Sequence, residues 1–288
     1  MSISFADLRV LMIPKLKSCP PQIINQRLSW SARRFLNRSE IWRHDQNQSI
    51  VAFQTAYPLT LPSTNAEPKR LAGLWYGSDS INQAALRSVE QEDYNLNLSQ
   101  TYVLMAGSTS PDITGRYYDT GKVYNSNAVY QFGSTPFYIW NDSSNWILSL
   151  TIGTKDNYFT AASLTATWTA AGTYTGAPTS TTASELTVGF INAYTAALEF
   201  GLTTTLVCIP DLAATDEIPG ELMDEWGVRG FMELALEDLK GDQDQPWSDS
   251  DGSKAHKTMA DRAIAEARNP RNVNRKSGSL RVTPRYFA

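Results

Sequence analysis

With 288 residues, a formal charge of −4 and 19% charged side chains, the chain has room for one large domain or two smaller ones. A core of that size folds without disulfides or metal, and nothing in the balance of charge asks for nucleic acid as a tightly held partner. The two cysteines, Cys19 and Cys208, lie too far apart for a zinc ribbon or a disulfide framework and are expected as buried thiols. The opening residues lack the charged-then-apolar order of a secretory signal, and no run of about 18 apolar residues is present to span a bilayer. The expectation is a soluble protein assembled in a reducing cytoplasm, with no membrane partner.

Phe5 to Val10 read as a short helix, and Ser18-Cys19-Pro20-Pro21 offers a cap followed by prolines suited to a first helical turn. The helix that follows runs to about Arg38. Ile24, Leu28 and Phe35 recur on one face, with Arg27, Arg33, Arg34 and Arg38 expected on a solvated one. Residues 50–57 and 70–76 are apolar and aromatic enough to pair as strands.

From 103 to 184 the composition shifts to Thr, Ser, Gly, Tyr and Trp, with turn residues every few positions, which predicts short antiparallel strands in an inserted module. Among them are Phe137-Tyr138-Ile139-Trp140, Trp146-Ile147-Leu148 and Leu164-Thr165-Ala166-Thr167-Trp168. Strands resume at 186–190 and 205–209. A long helix begins near Pro219, its apolar face carried by Leu222, Met223, Trp226, Phe231, Leu234 and Leu239, with acids in its first turns. A further helix is expected at 253–268.

The tail, 269–288, is basic and extended. Pro270 and Pro284 resist helix, and Arg271, Arg275, Lys276, Arg281 and Arg285 precede Tyr286 and Phe287. Such an arm is suited to docking, with the two rings as anchors and the bases pairing with acids; contact with DNA is the alternative.

Catalytic chemistry is not legible. His44 and His256 sit in no metal-ligand spacing, and no Walker loop, dinucleotide fingerprint or nucleophile elbow occurs. The stretch Trp247 to Gly252 lacks both the first and the last ligand of a calcium loop and reads as an acidic turn. No cofactor and no enzyme activity are expected. The rings of Tyr138, Trp140, Trp146 and Trp168 fit the core of a small sandwich; alternatively Trp140, Trp146 and Trp168 face outward and stack on glycans.

Two groups of residues carry a family likeness. At one end stand Ile13-Pro14, Ser18-Cys19-Pro20-Pro21, a helix with Ala32-Arg33-Arg34-Phe35 and Ser39-Glu40-Ile41-Trp42-Arg43, and strands ending in Tyr57-Pro58-Leu59. At the other stand Ile218-Pro219-Gly220-Glu221-Leu222-Met223-Asp224-Glu225-Trp226, Gly230-Phe231-Met232-Glu233-Leu234-Ala235, Gln245-Pro246-Trp247 and the closing Gly278 to Phe287. In this order they resemble bacteriophage head-to-tail adaptors, the neck or head-completion proteins. The likeness implies a helical layer in a homo-oligomeric ring of about twelve subunits under the portal protein. It further implies strands toward a tail or nozzle protein, a channel that passes DNA without specific binding, and a C-terminal arm that reaches the portal. The stretch 103–184 departs from the pattern and is similar to a small Gly-Thr-Tyr module of other phage virion proteins.

The expected fold class is therefore α+β. Residues 1–102 form a helical adaptor body with a small sheet, 103–184 an inserted antiparallel β module, 185–268 the remaining strands and helices, and 269–288 the arm. The expected place is the virion neck, after assembly in the host cytoplasm. A receptor-binding or tail-fibre protein that uses the aromatic module is the alternative.

Overall fold

The structure, a computed structural model, describes residues 3–50, 54, 56–78, 87–88, 94–132, 137–190, 200–211 and 218–269. Two compact units divide the chain, one drawn from 1–45, 61–72 and 205–288, the other from 46–60 and 73–204.

The first unit holds the helices. Helix α1 (Phe5–Met12) starts at a reciprocal cap, where Ser4 Oγ accepts the Asp7 N–H (3.2 Å) and the Asp7 carboxylate accepts the Ser4 N–H (2.8 Å). Helix α2 (Pro21–Ser39) has Pro20 as its cap and Pro21 in the first position, where a missing N–H leaves no bond unmade; Ser18 does not cap it. It ends on Glu40, which takes the left-handed conformation (φ 54°). Helix α3 (Gly220–Trp226) continues through a wide π turn, Gly227–Met232, into α4 (Glu233–Gly241). Helix α5 (Ser250–Arg268) is capped by Asp249, whose carboxylate accepts the Gly252 N–H at 3.0 Å.

These helices close around Phe35, whose ring lies 5.5 Å from Trp226 and 5.3 Å from Phe231. A Cβ at Gly230 would stand 2.6 Å from the Phe35 ring, so only glycine lets the π turn approach α2 this closely. Three of the four arginines expected on a solvated face are partly exposed but paired across elements, while Arg27 lies 5.5 Å from the centre of the Trp30 ring on its own helix. Arg34 meets Asp238 at 3.0 Å, Arg38 meets Asp261 at 2.9 Å, and Arg33 meets Glu67 at 2.6 Å.

Fifteen strands accompany the five α-helices among the described residues: β1 (Arg43–Ser49), β2 (Ala56–Pro58), β3 (Ala66–Ser78), β4 (Arg87–Ser88), β5 (Tyr94–Ala106), β6 (Thr109–Ser110), β7 (Gly115–Tyr124), β8 (Asn127–Phe132), β9 (Tyr138–Asn141), β10 (Trp146–Ser149), β11 (Tyr158–Ala161), β12 (Thr169–Ala171), β13 (Thr175–Gly176), β14 (Thr179–Phe190) and β15 (Phe200–Pro210). One sheet has the order β1-β15-β3-β4, and β6 pairs with β13. The largest sheet lies wholly in the second unit and has nine strands in the order β12-β11-β10-β9-β8-β7-β5-β14-β2. From β7 to β12 it is a meander, each strand antiparallel to the one before.

The helical body with a small sheet is thus corrected: strands dominate, and the largest element is the nine-stranded sheet. Length is the physical reason. Strands β5 and β14 pair from Tyr94↔Phe190 to Thr179↔Ala106, far beyond the apolar stretches that reveal a strand in sequence, because most of their side chains are exposed or half-buried. Positions 103 and 184 fall inside these two strands. Strand β1 was hidden for a related reason: all its residues are polar, and several are held by side-chain bonds, with Thr205 donating to Asp45, Thr203 to Asn47 (2.9 Å) and Gln46 to the Pro58 carbonyl (3.0 Å). Of the strand expected at 50–57, residues 51–53 and 55 lie outside the described residues. The stretch 164–168 forms no strand beyond a single bridge, Thr167↔Thr179.

Candidate functional site

The β unit carries the aromatic residues singled out in sequence, and alternation along each strand decides where they point. Tyr130, Ile139, Leu148, Phe159 and Trp168 belong to one buried cluster, whereas Val129, Trp140 and Ile147 form a second. Neighbouring residues on β8, β9 and β10 alternate between the two, so the sheet is apolar on both sides. Trp140 (2% exposed) and Trp168 (0%) are interior, which corrects their candidacy as glycan contacts. Each indole N–H is satisfied inside, Trp140 donating to Ser149 Oγ at 2.9 Å and Trp168 to Ser180 Oγ at 2.7 Å. Trp146 is half-buried and packs against the first cluster, 6.3 Å from Tyr130.

Sequence reasoning missed a polar and aromatic group on β5, β7 and β14. Tyr118 Oη donates to Glu185 at 2.7 Å, Arg116 approaches the same carboxylate at 3.7 Å, and the Arg116 guanidinium lies 5.4 Å from the centre of the Tyr102 ring. Burial, and then the neighbouring Glu185, push the Tyr118 phenol far above its ordinary value. It therefore stays protonated as a donor and offers no acid or base near neutral pH. The group is a strut across three strands. One feature of the sequence pointed to it: Glu185 is the single fixed charge between Thr179 and Phe190.

In the helical unit, His256 Nδ1 and Glu233 Oε2 lie 2.6 Å apart between α5 and α4, both largely buried. His44 is on β1. No group of three or more His, Cys, Asp or Glu able to hold a metal occurs among the described residues. Cys208 is buried, which pushes its thiol up to about 12, while Cys19 is half-exposed. No helix among the described residues is long and apolar enough to cross a membrane. Arg271, Arg275, Lys276, Arg281, Arg285, Tyr286 and Phe287 lie outside the described residues.

The helical unit gathers the two ends of the chain. Phe35, from the N-terminal group of residues, touches Trp226 and Phe231 from the C-terminal group, and Arg34 bridges to Asp238. Helix α1 buries Leu8 and Met12 inward and leaves Val10 (61%), Leu11 (48%) and Ile13 (46%) exposed on its far side and just beyond its end. No protein family matches the sequence, and no curated protein does.

Proposed function

We propose that this chain is a structural subunit of a phage virion neck, a head-to-tail adaptor that acts by assembling into a ring and not by catalysis. The observation that carries the reading is the packing of Phe35 on Trp226 and Phe231, since the resembling residues from both ends of the chain meet in one helical unit. In this reading about twelve copies join head to tail in a closed ring around a channel for genome ejection. The exposed aliphatic run at Val10, Leu11 and Ile13 supplies apolar surface for contacts between copies. The portal protein takes the basic arm, with Tyr286 and Phe287 as anchors and Arg271, Arg275, Lys276, Arg281 and Arg285 pairing with acids. A tail or nozzle protein meets the strands, and DNA slides past without a specific site. Burial of Trp140 and Trp168 removes two of the three rings on which a glycan-binding role rested.

Removing residues 285–288 tests the arm. The truncated chain is expected to fold and to lose co-purification with portal protein; portal binding at full affinity would overturn the assignment.

A further inference from the structure

Strand β14 has β5 along one edge, and its other edge is occupied only in part. Near its start, the Pro178 carbonyl accepts the Trp168 N–H (2.7 Å) and the Ser180 N–H donates to the Ala166 carbonyl (2.9 Å). Farther on, the Leu186 carbonyl accepts the Leu59 N–H (2.8 Å), and residues 187–189 pair with β2. Between these two closures lie residues 181–185, of which 181–184 are exposed.

Main-chain groups point alternately to the two edges of a strand. Because Pro178 and Ser180 use the outer edge, and the pairing with β5 is regular up to Glu185, Thr182 and Ser184 direct their N–H and C=O groups outward too. Those groups have no partner among the described residues. Edges of this kind are usually protected by lysine, proline or a bulge. None lies within 181–184; the bulge comes only after Glu185.

We propose that this gap is a docking slot for one added strand, and that its occupant is residues 279–283 from the tail of a second copy of the chain. Free strand-edge groups are matched in spacing only by another extended backbone. Both ends of the slot are closed by chain, which excludes the long rigid edge of a folded sheet and admits a short free segment. The tail supplies one of the right length: Ser279-Leu280-Arg281-Val282-Thr283 spans five residues, as the slot does, between Gly278 and Pro284, which cannot continue a ladder. Glu185, the slot's only fixed charge, is already bonded to Tyr118 and 3.7 Å from Arg116, and beyond Arg268 the tail holds bases and no acids, so charge does not oppose docking. The donor is taken to be a second copy, and dilution separates that case from docking of the chain's own tail. The inference does not depend on the adaptor reading; combined with it, Arg281 seats on the neighbouring copy and Arg271, Arg275, Lys276, Arg285, Tyr286 and Phe287 are left for the portal.

Residue-level hydrogen exchange on the full-length chain tests it, at a concentration where copies associate and again on dilution. The amides of Thr182, Ser184 and paired residues in 279–283 should exchange about tenfold or more slowly when associated, and lose that protection on dilution. Val282→Pro should release Thr182 and Ser184. Thr182→Pro, which removes an N–H that the chain's own sheet does not use, should release the tail and leave β5 protected. Fast exchange at Thr182 and Ser184 in the associated chain would overturn the proposal. So would protection that survives Val282→Pro, which means another occupant, or protection that survives dilution, which means the chain's own tail.

Discussion

In the helical unit α1, α2 and α5 turn one stripe inward, so Leu8 and Met12 of α1 are buried while Val10 and Leu11 are not, and α4 is buried at the successive positions 233–236; in the β unit the central strands bury residues on both faces. Polar fastening differs too. Helix α2 is fastened by arginines to Glu67, Asp238 and Asp261, whereas in the β unit the buried Trp140 and Trp168 are held by indole N–H bonds to Ser149 and Ser180, and the Lys155–Asp142 ion pair sits at the turns of the meander. A helix buried along one stripe thus states its buried face through period alone. A strand apolar on both faces conceals which cluster each residue joins.

The sharpest way to break this comparison is to remove one central ring from each unit. Phe35→Ala takes away the contacts with Trp226 and Phe231 and is expected to destabilise the helical unit by about 3–5 kcal/mol. Trp168→Phe keeps most of the apolar volume and loses the bond to Ser180, for about 1–3 kcal/mol in the β unit. Denaturant midpoints give the sizes, and amide exchange shows whether α2 and α4 respond to the first variant and β8 to β11 to the second; equal effects would contradict the contrast.

A smaller effect separates the units by pH. The hydrogen bond from Arg70, and after it that from Lys69, outweigh burial and hold the Glu40 carboxyl at about 2, below its ordinary 4.5. Because the folded value is the lower one, this pairing stabilises the protein above about pH 4.5 and is lost as pH falls toward 2. Arg70 is half-exposed, so the contribution is about 1 kcal/mol. Glu40→Gln should lower stability at pH 7 and remove that much of the acid dependence, as acid-unfolding curves of the two proteins would show. Identical curves would assign Glu40 no role beyond ending α2.

Much of the helical unit was legible before any coordinates. Leu222, Met223, Trp226, Phe231, Leu234 and Leu239 were picked by spacing, and all are buried. The π turn at Gly227–Met232 left no trace in that spacing, and its reason is steric, the approach of Gly230 to Phe35. Two turns of the meander, at 141–145 and 154–157, were readable from Asn, Asp and Ser, whereas the turn signal Asp119-Thr120-Gly121 falls inside β7; the reach of β5 and β14 was not readable, since residues such as Asn95, Ser99 and Thr181 leave no apolar alternation when both faces meet water. The tryptophans were recognisable as important rings. Their direction was not, because it depends on which cluster each strand residue faces. Glu185 was invisible as the partner of Tyr118, since that bond joins residues 67 apart in sequence.

The central claim, assembly into a neck ring, is most directly tested by native mass measurement and electron microscopy of the purified full-length chain. The account predicts a closed ring of about twelve copies with cyclic symmetry and a central hole wide enough for duplex DNA. A chain that stays monomeric at every concentration, or closes as a trimer, would contradict it.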